Sequence, residues 1–110
     1  MKQEIINTYQ GEAGIFKALS HPTRLFILHT LKEQTCSVSA LAEMAEIDIS
    51  TMSKHLDLLK RYNIVNAKKH RNTVYYQLTI PCLFDFMKCA EKILHCPADC
   101  RNTPCPKPEL

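Results

Sequence analysis

Asp48-Ile49-Ser50-Thr51-Met52-Ser53-Lys54-His55-Leu56-Asp57-Leu58-Leu59-Lys60-Arg61-Tyr62 is the stretch on which the reading of this chain turns. Met52, Leu56 and Leu59 recur at helical spacing, so one face is apolar and packs inward. Ser50, Thr51, Ser53, Lys54, Lys60 and Arg61 fall largely on the other faces. Short hydroxyls and cations are the groups that reach base edges and phosphates. Just upstream, Leu41-Ala42-Glu43-Met44-Ala45 makes a second short helical pattern, with no long loop between the two. Two short helices joined this way, the second polar and basic outside, read as a helix-turn-helix with its recognition helix. Taken alone, the stretch reads equally well as a surface helix with solvated charges. The segment after it decides.

That segment runs Ile64-Val65-Asn66-Ala67-Lys68-Lys69, then His70-Arg71-Asn72, then Thr73-Val74-Tyr75-Tyr76-Gln77-Leu78. Both arms carry β-branched or aromatic residues and the tip is polar, with Asn72 at the turn, which is the pattern of a hairpin. A hairpin directly after a recognition helix, tipped by Lys69, His70 and Arg71, reads as a wing that meets DNA. Charge agrees. From Ser50 to Arg71 the cations Lys54, Lys60, Arg61, Lys68, Lys69 and Arg71 face the single acid Asp57, a local charge of +5 in a chain whose total is +3. A basic patch on a nearly neutral body suits a phosphate-binding face.

The rest of the chain frames this unit. Ile5, Ile6, Tyr9, Ala13, Phe16 and Leu19 form an irregular apolar stripe over Gln3 to Leu19, weakened by Gly11 and Gly14, so this helix should lean on something else. A second, mostly buried helix begins near Pro22, and Leu25, Phe26, Ile27, Leu28 and Leu31 give its apolar side. Glu33 to Ser37 is a polar break before the short third helix, which Ser37 or Ser39 would cap. The recognition helix should end near Tyr62 and Asn63, with Asn63 in a left-handed turn.

A last helix is expected from Ile80 to about Cys96, opened by Pro81, with Leu83, Phe84, Phe86, Met87, Ala90, Ile93 and Leu94 around too much of its circumference for a lone surface helix. The expected architecture is mostly α with a β-hairpin wing: a winged helix-turn-helix that pairs into a homodimer through its first and last helices. A dimer suits the reading of two half-sites. Residues 1–96 form the DNA-binding and dimerisation domain on this reading. Residues 97–110 form a Cys/Pro-rich tail, expected to be flexible unless something ties it down. No apolar run approaches membrane-spanning length and the N-terminus lacks a signal-peptide core, so a cytosolic protein is expected, with its six cysteines as thiols.

These residues resemble the ArsR/SmtB family of winged-helix repressors. Ala18-Leu19-Ser20-His21-Pro22-Thr23-Arg24-Leu25 is similar to the family's signature at the start of the second helix. Ser50-Thr51-Met52-Ser53-Lys54-His55-Leu56 with Leu59 is similar to its recognition helix, and Val74-Tyr75-Tyr76-Gln77-Leu78 to the return strand of its wing. The likeness runs from about Phe16 to Leu78. It implies a dimer that represses its operator and answers an inducer, often a metal ion. The sensor positions depart from the family. Ser37-Val38-Ser39 stands where the arsenic-type site has Cys-Val-Cys, with Cys36 just outside it as a packing or cap-region residue. Ile80, Cys82, Ile93 and Cys96 stand at the four zinc-type positions.

Cysteines remain to be placed. Cys82, Cys89 and Cys96 are seven apart and Cys100 follows four later. Steps of seven lie about 10 Å apart along a helix, so one helix cannot bring two of them to one ion. Antiparallel pairing of two copies would bring Cys96 and Cys100 to Cys82 of the partner subunit; alternatively Cys96, Cys100 and Cys105 form a set within one tail. Soft sulfurs without imidazole suit As(III), Cd(II) or Pb(II), and His95 keeps Zn(II) open. Cys82 and Cys89 also read as dimer-core packing.

The function expected is repression of double-stranded operator DNA, released by a thiophilic ion. Ser50, Thr51, Ser53, Lys54 and His55 would face the major groove, and Lys60, Lys68, Lys69 and Arg71 the phosphates. A thiol redox switch without metal is the alternative. An enzyme is not expected: there is no Gly-rich phosphate loop among only two glycines, no paired carboxylates in a plausible cleft, and adjacent His95 and Cys96 would point apart on a helix.

Overall fold

The computed structural model describes residues 1–95. The elements run α1 (Gln3–Leu19), α2 (Pro22–Glu33), β1 (Cys36–Ser37), α3 (Val38–Ala45), α4 (Ile49–Arg61), β2 (Val65–His70), β3 (Thr73–Leu78) and α5 (Leu83–Leu94). The chain divides between Ile80 and Pro81 into two units, the first carrying α1 to β3 and the second carrying α5.

Local chemistry sets most of these boundaries. His21 is the N-cap of α2 and accepts the Thr23 N–H on its Nδ1 at 3.0 Å, with Pro22 in the first turn. Of the two candidate serines, Ser37 caps α3, its hydroxyl oxygen accepting the Ala40 N–H at 3.2 Å, while Ser39 is exposed within the helix. Both α3 and α4 end in left-handed turns without glycine. Glu46 (φ 57°) closes α3, and Ile47 N–H donates back to the Ala42 carbonyl at 3.1 Å. Asn63 (φ 61°) does the same after α4, with Ile64 N–H on the Leu59 carbonyl at 3.0 Å.

Core packing then joins α2, α3 and α4 to the sheet. Ile27, Leu28, Leu41, Met52, Leu56, Leu59 and Val65 are its fully buried side chains. On α2, Ile27, Leu28 and Leu31 turn inward whereas Leu25 stays partly exposed, so the buried side is narrower than the apolar run suggested.

The sheet has three strands in the order β1-β3-β2, all antiparallel. Its third strand is a correction to the expected polar break at Glu33–Ser37. Cys36 pairs with Tyr76 and Ser37 with Tyr75, so this short segment becomes a strand only because β3 offers a free edge. Cys36 is buried there, as a packing residue, and burial pushes its thiol up from the ordinary range.

α5 also differs from expectation. It begins at Leu83 and ends at Leu94, shorter than the span from Ile80 to Cys96. Pro81 and Cys82 form a lead-in turn instead: their carbonyls accept the N–H groups of Phe84 and Asp85, each at 3.1 Å. Among the described residues no helix is long and apolar enough to cross a membrane.

Candidate nucleic-acid interface

The interface begins at the N-terminus of α4. Asp48 is the N-cap, and its carboxylate accepts the Thr51 N–H at 3.2 Å, the Thr51 hydroxyl at 2.7 Å and the Ser50 hydroxyl. The Ser50 bond first, then those from Thr51, lower the Asp48 carboxyl to about 2. A hydroxyl has one proton to give. With that proton on Asp48, Ser50 and Thr51 turn lone pairs outward, an arrangement that accepts from base amino groups.

Along the helix, Ser50, Lys54, Asp57 and Arg61 form one exposed row at spacings of four, three and four, opposite the buried Met52, Leu56 and Leu59. Thr51 and Lys60 are exposed on its flanks, and Ser53 is half-buried. Arg61 extends the row one turn beyond the groove-facing residues picked from the sequence. The same spacing that marks Lys54 would have found it.

His55 stands apart from that row. It is half-buried, its ring centroid 4.6 Å from that of His21 and tilted by 47°, and its Nδ1 faces the Arg24 guanidinium at 3.4 Å. Burial first, then His21 and Arg24, lower its pKa from the ordinary imidazole value. Part of this imidazole's surface is therefore taken by His21 and Arg24.

In the wing, Lys68, Lys69, His70 and Arg71 are all exposed. Strand pairing joins Lys68 to Tyr75 and Lys69 to Val74, so the two lysines point to opposite faces of the hairpin. Lys68 shares its face with His70, Tyr75 and Gln77, which with Thr35 line a shallow groove of about 380 Å³. At the tip His70 pairs with Thr73 across a two-residue turn, and Arg71 takes the positive φ (60°) where such turns usually place glycine. The left-handed residue is Arg71, next to the Asn72 that the sequence marked for the turn.

The cysteines fall less neatly. Cys82 is the N-cap of α5, outside its regular turns, and Cys89 lies mid-helix; both are exposed free thiols. Cys96, Cys100 and Cys105 lie outside the described residues. Among the described residues no three His, Cys, Asp or Glu side chains gather in a way that would hold a metal ion.

Comparison with known proteins places this geometry. A family model described as a helix-turn-helix domain matches residues 19–66. The HTH-type transcriptional regulator Rv0081 of Mycobacterium tuberculosis is 32% identical over 87 residues, covering 78% of this chain and 76% of that protein. The solution structure of a homodimeric winged helix-turn-helix DNA-binding domain from Mycobacterium bovis, described as a possible ArsR-family regulator, superposes with a TM-score of 0.74 at 26% identity. It covers 86% of this chain and 91% of that one. The chain belongs to the ArsR/SmtB family of winged helix-turn-helix transcriptional regulators.

Further matches are to transcriptional regulators or their structures. The crystal structure of Rv0081 has a TM-score of 0.73 at 31% identity and covers 80% of this chain and 89% of that one. The transcriptional activator HlyU of Vibrio cholerae is 37% identical over 77 residues, 70% of this chain and 71% of that protein. The transcriptional repressor SdpR of Bacillus subtilis is 34% identical over 72 residues, 66% of this chain and 80% of that protein. An ArsR/SmtB regulator acts by binding DNA, and the exposed row on α4 with the basic wing is the part of this chain chemically suited to it.

Proposed function

We propose that this ArsR/SmtB regulator is a cytosolic homodimeric repressor that holds double-stranded operator DNA and lets go when a thiophilic metal or metalloid ion binds its C-terminal cysteines. The observation that carries the DNA part is the exposed row Ser50, Lys54 and Arg61 on α4, with Arg71 at the wing tip. In this reading Ser50, Thr51, Ser53 and Lys54 approach base edges in the major groove. Lys60, Lys68, Lys69 and Arg71 neutralise phosphates. His55 stays at the margin of that set because His21 covers one side of its ring.

Pairing is supported by apolar surface on two helices. Ile5, Tyr9 and Phe16 on α1 are 45%, 60% and 47% exposed, and Phe86, Ile93 and Leu94 on α5 are exposed too. A second copy is the natural cover for such faces. The homodimeric M. bovis domain supports the same reading.

The inducer follows from donor chemistry. Cys82, Cys89, Cys96, Cys100 and Cys105 offer sulfur, and sulfur-only sets suit thiophilic ions such as As(III), Cd(II) or Pb(II). Zn(II), which thiolates also hold, stays open, with His95 as an added nitrogen donor. A second reading, a thiol redox switch, is favoured by the exposure of Cys82 and Cys89 as free thiols.

Fluorescence anisotropy of the reduced protein on its own upstream DNA separates these readings. The reduced protein should bind, and near-stoichiometric As(III), Cd(II) or Pb(II) should release it. Release only after oxidation would replace the metal reading by the redox one. No binding to upstream DNA would remove the repressor reading.

A further inference from the structure

We propose that His21, Arg24 and His55 form a clasp that seats the recognition helix only while the His55 imidazole is neutral, so that acidification weakens DNA binding. Arg24 and His21 are then positioning residues. The inference rests on the DNA-binding reading of α4 and adds a pH dependence to it.

The argument starts from what each nitrogen does. Arg24 Nε donates to the Ala18 carbonyl at 2.7 Å, and its second terminal nitrogen reaches the Lys17 carbonyl at 3.5 Å, so the guanidinium is anchored on the end of α1. From there it points its remaining nitrogen at His55 Nδ1, 3.4 Å away. A guanidinium only donates, so that Nδ1 must be the bare, accepting nitrogen. His21 Nδ1 is bare for the same reason, since it accepts the Thr23 N–H that starts α2. Both rings therefore carry their single proton on Nε2, and in both a second proton would have to enter at the nitrogen already used as an acceptor.

Protonation of His55 then has a cost: it sets a cation against Arg24 and, 4.6 Å away, against the ring of His21. The titratable and charged groups that act on His55 from the neighbouring elements are His21 and Arg24, and neither is an acid that would welcome the extra charge. The direction of the His55 shift agrees with this geometry. A lowered folded-state pKa means that the displaced helix binds protons more readily than the seated one. The seated state is therefore lost as pH falls through the range below about 6.5. DNA needs the seated helix, so its apparent affinity falls with that population.

His70 is a further imidazole, exposed on the wing, and is removed so that the measurement reads the clasp alone. Affinity for upstream DNA is therefore measured between pH 8 and 5.5 in a His70→Gln background. The clasp predicts a loss of roughly threefold or more on acidification. A gain would mean that His55 meets DNA as a cation and would overturn the proposal. His21→Asn keeps an N-cap oxygen but removes the ring that packs beside His55, so binding at pH 8 should persist and the pH slope should shrink. His55→Asn should lose most of the slope whatever its level at pH 8. Arg24→Lys keeps the charge but cannot span the α1 carbonyls and His55 together, and should weaken binding at every pH.

Nitrogen NMR of the free protein tests the clasp without DNA. His21 and His55 should both show the Nε2–H tautomer, and His55 should titrate below the ordinary imidazole range. An Nδ1–H tautomer, or an ordinary titration, would sink the clasp even if DNA binds. A clasp seen by NMR in a protein that binds no DNA would instead retire the DNA-binding reading.

Discussion

A methyl group placed on Gly14 would fall 2.6 Å from Cε1 of Tyr62, the residue that closes the recognition helix. Gly14 is therefore where α1 lets the end of α4 approach, whereas Gly11, one turn earlier, has open space around its Cα. Replacing Gly11 with Ala should gain about 0.5–1 kcal/mol of stability from helix propensity. Gly14→Ala should lose that gain to overpacking, which runs about 1–3 kcal/mol. Urea unfolding at one fixed protein concentration tests the pair. Equal stabilisation by both would show that Tyr62 does not rest on Gly14.

A second comparison concerns the cap of α3. Ser37→Ala removes the oxygen that accepts the Ala40 N–H and should cost about 1 kcal/mol. Ser39→Ala, at an exposed helical site, should cost nothing measurable or gain slightly. Reversed results in thermal unfolding would move the cap to Ser39.

Arg71 separates stability from DNA affinity. Its left-handed backbone suits glycine, so Arg71→Gly should leave the melting temperature unchanged or raise it. The same change removes one cation from the wing tip. The slope of log affinity against log salt should then become shallower by about 0.9 if Arg71 meets a phosphate. An unaltered slope would place the tip away from the backbone of the duplex.

On the helix itself, Lys54→Ala and Arg61→Ala should each weaken operator binding by about 1–3 kcal/mol while leaving the circular dichroism spectrum intact. Both side chains are exposed, so little packing is lost. Affinity that survives the double substitution would move the DNA-facing surface to another side of the domain.

For the sensor, Cys96→Ser with Cys100→Ser should abolish release by Cd(II) and its sulfur-to-metal absorption in the ultraviolet, with DNA binding retained. Cys36→Ser should leave the response in place, because that thiol is buried on β1 and burial disfavours its thiolate. A lost response in Cys36→Ser alone, in a folded protein, would relocate the sensor to β1.

Features that depend on neighbours a few residues away are readable in the chain alone. The burial of Met52, Leu56 and Leu59 beside the exposed Lys54 follows from helical period, and the left-handed turn of Asn63 after α4 follows from its tolerance of that backbone. Arg61, and the opposite faces taken by Lys68 and Lys69, obey those same periodicities and were legible without any coordinates. Cys36 and Ser37 carry no such mark, because two residues are too short for a pattern and become a strand only against β3. His55 is the sharper case. Its polarity places it with Ser53 and Lys54, yet His21 and Arg24, more than thirty positions earlier, take one side of its ring. Periodicity reports which face of a helix is wet, and long-range packing alone decides what stands next to it.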